Sequence, residues 1–193
     1  ITAGSLFSYQ QRMAIAYVFA YKDPTFDPIF TLAADYPQLE SLYGVLANFA
    51  LDLPYCAFGF IAGPLADQIT SGKQRAMIYA LVSIAWSFAT FGSGYFDAFW
   101  AFAVGRMLQG ALMSFNSPFG YALIDNWFPN NSKGTATSVL NSAIYIGSGL
   151  SSLNVIMTQN YGWRADFEAQ GVAGIVIGLL CVLLLTNNQS EDR

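Results

Sequence analysis

Long apolar stretches separated by short polar breaks dominate this chain. Residues 42–66, 76–96, 99–127 and 135–158 are each predominantly apolar, and a further block over 171–185 reaches spanning length by extending to 167–186. A helix crosses the roughly 30 Å hydrocarbon core of a bilayer in about 20 residues, so each block is long enough to span. An earlier block, 12–34, is broken by Lys22, Asp23, Pro24, Asp27 and Pro28. Charge at that density is costly at the centre of a membrane helix. It reads either as an interfacial or re-entrant segment or as a spanning helix whose charges face a protein-lined cavity. The apolar flanks 13–21 and 29–34 favour the second reading. The expectation is an all-α integral membrane protein: one bundle of six transmembrane helices over 12–34, 42–66, 76–96, 99–127, 135–158 and 167–186.

Composition agrees with that pattern. Of 193 residues, 54% are hydrophobic and 10% charged, against about 25% charged in an average soluble domain. So few charges cannot coat a soluble surface. The net charge of −4, with no basic cluster, points to neither nucleic acid nor an anionic membrane surface as partner. Cys56 and Cys181 lie inside apolar blocks and are expected as free buried thiols. There is no histidine, no cysteine pair, no phosphate-cradling loop and no nucleophile–base constellation. Neither an enzyme, a metal site nor a cofactor is expected.

Six spans would put both termini on one side. Lys73, Arg75, Lys133 and Arg193 fall on that side, whereas Arg164 is the lone basic residue on the other, among Asp35, Glu40, Asp97, Asp166 and Glu168. Because the positive-inside rule counts Lys and Arg, it favours cytoplasmic termini. Glycines recur in the helices, as in Gly147-Ser148-Gly149 and at Gly171, Gly174 and Gly178, and suit close helix contact in lipid.

Asp23 and Asp27 stand i, i+4, on one face if the helix continues, where two carboxylates repel unless one is protonated or a cation is near. Alternatively Pro24 and Pro28 end the helix, and both acids sit in water beside Lys22. Arg106 lies among apolar residues, with Gln109 one turn on. A guanidinium there needs a carboxylate, a carbonyl or a substrate anion, unless it snorkels to one surface. Asp52, just before Pro54, could accept a proton or face water.

Three sequence words then appear in order. After the second block the chain reads Gly63-Pro64-Leu65-Ala66-Asp67-Gln68, followed by Gly72-Lys73-Gln74-Arg75. This resembles the loop signature G-x-L-A-D-R-x-G-R-K of the major facilitator superfamily, with Gln68 in place of the arginine and Thr70-Ser71 as an insertion. Arg106-Met107-Leu108-Gln109-Gly110 is similar to that family's R-x-x-Q-G element, and Gly162-Trp163-Arg164 is a recurrent family word. The resemblance covers essentially the whole chain, as the N-terminal six-helix half of a fold normally built from two.

Asn126-Trp127-Phe128-Pro129 and Tyr21-Lys22-Asp23 look most like spinster-type lipid transporters or related organic-anion carriers. Met113 stands where spinster-like members usually carry an acid, and the antiporter signature of helix five is absent. The resemblance implies secondary transport of a small organic solute or amphipathic lipid by alternating access, with Arg106 serving proton coupling or substrate binding; Asp23, Asp27 and Gln109 are the further candidates for those roles. It implies a gating role for Asp67, Lys73, Arg75 and Asp125, which latch helix ends together. The expected partners are membrane lipid, the transported solute or lipid, and whatever covers the cavity face: a second six-helix half, another copy, or subunits of a larger complex. The alternative is a facilitator-derived structural subunit that no longer transports.

Overall fold

The computed structural model describes residues 2–20, 42 and 49–187, and among them it is entirely helical, without strands. The helices are α1 (Thr2–Ala20), α2 (Ala50–Gln68), α3 (Gly72–Ser93), α4 (Phe99–Met113), α5 (Asn116–Trp127), α6 (Lys133–Leu150) and α7 (Asn154–Asn187), with a short 3-10 turn at Ser151–Leu153 between the last two. The main packing partners are α3 with α7, α2 with α4, and α1 with α6.

Several boundaries differ from the sequence expectation. Helix α1 begins at Thr2 rather than near residue 12, because Ser5, Ser8 and Gln11 face the bundle interior, so their polarity does not delay the helix. The block 99–127 is interrupted rather than continuous: α4 ends at Met113 and α5 starts at Asn116. Pro118 supplies the cause, since it lacks an N–H and its ring crowds the carbonyl of Ser114 one turn earlier. The final helix starts before 167. Its two parts meet at Gly162, whose φ of 86° and ψ of 160° belong to a region that side-chain-bearing residues avoid.

Connections gather at two ends of the bundle. At one, Ile15, Phe99, Phe102, Ala103, Trp163 and Phe167 form an apolar cluster. Phe102, Trp163 and Phe167 are mutually edge-on at centroid distances of 5.6 to 5.9 Å, an arrangement favoured by the ring quadrupole. Beside them Arg164 donates to the Gly94 carbonyl and to Asp97, and stacks over Trp163. At the other end Ala66, Ala76, Tyr79, Ala80, Phe119, Leu123 and Cys181 pack together. Helix α1 runs between the two, with Ser5 beside Tyr79 and Ile15 in the first cluster.

Small residues let the backbones approach. A Cβ added to Gly110 would collide with the Leu51 backbone, one at Gly147 with that of Leu6, and ones at Gly171, Gly174 and Gly178 with Phe91, Ser87 and Ile84 of α3. Gly149 meets nothing and has no such role. The buried face of α3 carries Ser83, Ser87, Thr90 and Ser93, whose hydroxyls return to carbonyls one turn back. Hydroxyls satisfied within their own helix can be buried cheaply.

Outside, the pattern inverts. Phe60 is 83% and Tyr145 80% exposed, and Leu53, Phe88, Trp100, Val104, Leu183 and Leu184 also face outward. Cys181 is buried as expected; Cys56 is exposed, on the outward surface of α2, so the expectation of two buried thiols holds for one. Helix α3 and the stretch Lys133–Leu184 are long and apolar enough to cross a membrane.

Candidate functional site: a polar chain through the bundle interior

Arg106 and Gln109 are both completely buried. They lie one turn apart on α4, which places their side chains on the same face. Arg106 Nη1 donates to Gln109 Oε1 at 2.8 Å, and Nη2 donates to the backbone carbonyl of Arg12 on α1 at 3.3 Å. Arg106 therefore turns inward rather than snorkelling, and α4 is tied to α1 through it. The expected relationship between Arg106 and Asp23 lies outside the described residues, as does Asp27.

From Gln109 the bonds continue. Its Nε2 donates to Thr90 Oγ1 on α3 at 2.9 Å. The Thr90 hydroxyl has one proton and two acceptors in reach, the Trp86 carbonyl at 3.0 Å and Gln11 Oε1 at 3.3 Å. Gln11 Nε2 donates to the Gln170 carbonyl on α7 at 3.0 Å, and Gln170 Nε2 to Asp166 Oδ2 at 2.9 Å. One path of hydrogen bonds thus links α1, α3, α4 and α7 through residues that are all at most 5% exposed apart from Arg12. Such a network fixes the relative positions of four helices, because each buried member loses solvation unless its partner stays in place.

Of these residues sequence reasoning singles out only Arg106 and Gln109; Arg12, Gln11, Thr90, Gln170 and Asp166 escape it. Arg12 pairs with Asp52 of α2 and lies 5.0 Å over the ring of Tyr55. The signal was available in Gln10-Gln11-Arg12, a polar group abutting an apolar block. Gln11 belongs to the same group. Asp166, expected in an acidic exposed connection, is 1% exposed; the correction arises because the helix begins ahead of it, at the Gly162 turn, and carries it inward. Asp52, which the sequence leaves open between proton acceptor and water-facing acid, is partly exposed and pairs with Arg12.

The residues expected to latch helix ends behave unequally. Arg75, in the first turn of α3, is buried and donates to the Ala66 carbonyl at 3.1 Å, the Ala122 carbonyl at 3.1 Å and Asn126 Oδ1 at 2.9 Å. It joins the ends of α2 and α5 to the start of α3 through neutral acceptors. Asp125 instead pairs with Lys133 at the start of α6. Asp67 and Lys73 are exposed. Asp67, Arg75 and Asp125 line one crevice of about 360 Å³ with Gly63, Pro118 and Tyr121. Among the described residues no group of three or more His, Cys, Asp or Glu is placed to hold a metal.

Among the described residues the regular structure is helical, with buried guanidinium groups and an outward apolar surface, as a polytopic membrane protein would have, and comparison with known families is specific. The family model described as Major Facilitator Superfamily matches residues 3–193, and the chain belongs to that family. It is therefore a multi-pass integral membrane protein. The probable galactarate/D-glucarate transporter GarP of Escherichia coli K12 is 30% identical over 163 residues, 77% of this chain and 36% of that protein. The probable galactarate/D-glucarate transporter GudP of Bacillus subtilis is 31% identical over 146 residues, 70% of this chain and 32% of that protein. The membrane sensor protein UhpC of Escherichia coli K12 is 28% identical over 145 residues, 72% of this chain and 31% of that protein. The chain spans about a third of the length of these curated relatives.

Proposed function

We propose that this chain is the N-terminal half of a secondary transporter that moves a small organic solute across a membrane by alternating access. The observation that carries the reading is Arg106, held in the interior of a facilitator-family chain where its guanidinium joins α4 to α1. A buried guanidinium can recognise a carboxylate bidentately. The relatives named for galactarate and D-glucarate favour a small organic acid over the amphipathic lipid of a spinster-like carrier.

In this reading the bundle has six spans with cytoplasmic termini, the first of them carried by α1 from Thr2 and the others falling within 42–66, 76–96, 99–127, 135–158 and 167–186. The outward apolar side chains and the apolar length of α3 and of Lys133–Leu184 support it. Arg106 and Gln109 serve substrate binding or proton coupling together with Asp23 and Asp27, and Arg12 joins them. Asp67, Lys73, Arg75 and Asp125 act at the cytoplasmic gate, a role supported by the ties from Arg75 to two neighbouring helix ends and from Lys133 to Asp125. The remaining cavity wall comes from a second six-helix half, another copy or a subunit of a larger complex.

The rival is a facilitator-derived subunit without transport, and the likeness to a protein named a membrane sensor gives it a specific footing. Proteoliposomes carrying the complete gene product separate the two. Accumulation of labelled galactarate or D-glucarate, competed by related acids, is expected. A folded, correctly inserted protein that takes up no small organic acid or lipid, with or without a pH gradient, overturns transport in favour of the rival.

A further inference from the structure

The sequence places Asp166 in a polar connection, and the proposed transport reading does not use it. Its carboxyl is 1% exposed and receives one hydrogen bond, from Gln170 Nε2. An ionised carboxylate so placed has lost its water and gained one neutral donor.

No cation compensates it among the described residues. On its own helix, Arg164 is engaged with Asp97 and the Gly94 carbonyl, and Glu168 lies beside Gly94. On α1, Gln11 faces the site, while Arg12 is turned to Asp52. On α3, Ser87 lies against Gly174 and Thr90 bonds Gln11, while Lys73 and Arg75 belong to the opposite end; on α4, which packs against Trp163 and Phe167, Arg106 is engaged with Gln109 and the Arg12 carbonyl. Gln170 Oε1 is buried without a hydrogen-bond donor. A protonated carboxyl supplies what that oxygen lacks: after rotation of the Gln170 amide, Asp166 donates its O–H and Gln170 Oε1 accepts.

We infer that Asp166 is a buried proton-binding site of this chain, with Gln170 as its partner in both protonation states. The proton goes on and off a carboxyl oxygen, and no other bond changes. Asp166 is next in sequence to Phe167, a member of the apolar cluster at one end of the bundle. The site also stands at the terminus of the hydrogen-bonded path that leads through Gln11, Thr90 and Gln109 to Arg106.

The sign of the pH dependence follows. An unfolded Asp titrates near about 3.9, and a carboxylate that has lost its water without gaining a counter-ion disfavours the charged form, so above that value the folded protein holds a proton that the unfolded chain releases. The associated stability is present at low pH and is lost as pH rises from there until the buried carboxyl ionises. The test uses the complete protein in detergent and two readouts, the infrared absorption of protonated carboxyls and the thermal unfolding midpoint, from about pH 5 to about pH 8. The wild type is expected to show a carboxyl band that titrates within this range and is missing in Asp166→Asn. The variant should gain in unfolding temperature over the wild type as pH rises. Should Asp166→Asn not accumulate, Asp166→Glu keeps the titration and moves the band. A band unchanged by either variant, or parallel stability curves for wild type and Asp166→Asn, overturns the site. Neither readout involves transport, so a silent Asp166 leaves the proposed function standing.

Discussion

Gln109 Nε2 on α4 donates to the Thr90 hydroxyl on α3 at 2.9 Å, and that single oxygen joins the Arg106 end of the polar path to the Gln11 end. Because both residues are completely buried, neither can recover solvent if the other is removed. Thr90→Val keeps the shape and deletes the hydroxyl, leaving the Gln109 amide without its acceptor. A loss of about 1–3 kcal/mol is expected from such an orphaned group. Ser83→Ala, whose hydroxyl serves the Tyr79 carbonyl, should cost less. Thermal unfolding of both variants checks this, and equal losses would mean that the path carries no extra stability.

Close helix contact makes a second expectation. Gly110→Ala sets a methyl against the Leu51 backbone, which cannot swing away as a side chain can. Overpacking of this kind costs about 1–3 kcal/mol. Gly149→Ala, with open space around it, should be neutral or slightly stabilising. If the two variants unfold at the same temperature, the α2–α4 contact is looser than described.

Much of this architecture was legible in the apolar blocks, and what escaped shares a physical cause. Hydropathy measures how apolar a segment is, not which way a polar side chain within it points. Arg12 and Gln11 looked like a boundary and Asp166 like an exposed connection because membrane bundles hide polarity inside, the reverse of the soluble pattern. Arg75 read as one of a set of charges latching helix ends, and its partners are neutral: the Ala66 carbonyl of the preceding helix, the Ala122 carbonyl and the Asn126 amide oxygen. The break at Ser114-Phe115 was masked by continuous hydrophobicity, although Pro118 announces it. Arg106 was found because a guanidinium among apolar residues needs a partner, and Gln109 because one-turn spacing puts it on the same face; Asp23 and Asp27 fall outside the described residues.

Orientation gives a third expectation. The sequon Asn130-Asn131-Ser132 lies in the exposed connection between α5 and α6, on the side proposed to be cytoplasmic, and Asn188-Gln189-Ser190 is proposed for the same side. Expressed in a secretory membrane, neither should acquire glycan. A glycosidase-sensitive mobility shift at Asn130 reverses the orientation, and a shift at only one of the two breaks the six-span count.

The most direct measurement is uptake of labelled D-glucarate by proteoliposomes carrying the complete gene product with Arg106→Leu, alongside the wild type and Arg106→Lys. Leucine removes the donors to Gln109 and to the Arg12 carbonyl, and lysine offers a point charge in place of the guanidinium fork. Transport by the wild type, little or none by Arg106→Lys and none by Arg106→Leu, with all three proteins folded and inserted, is the predicted result. Uptake by Arg106→Leu at the wild-type rate and with the wild-type pH dependence would make Arg106 a structural residue and contradict the account.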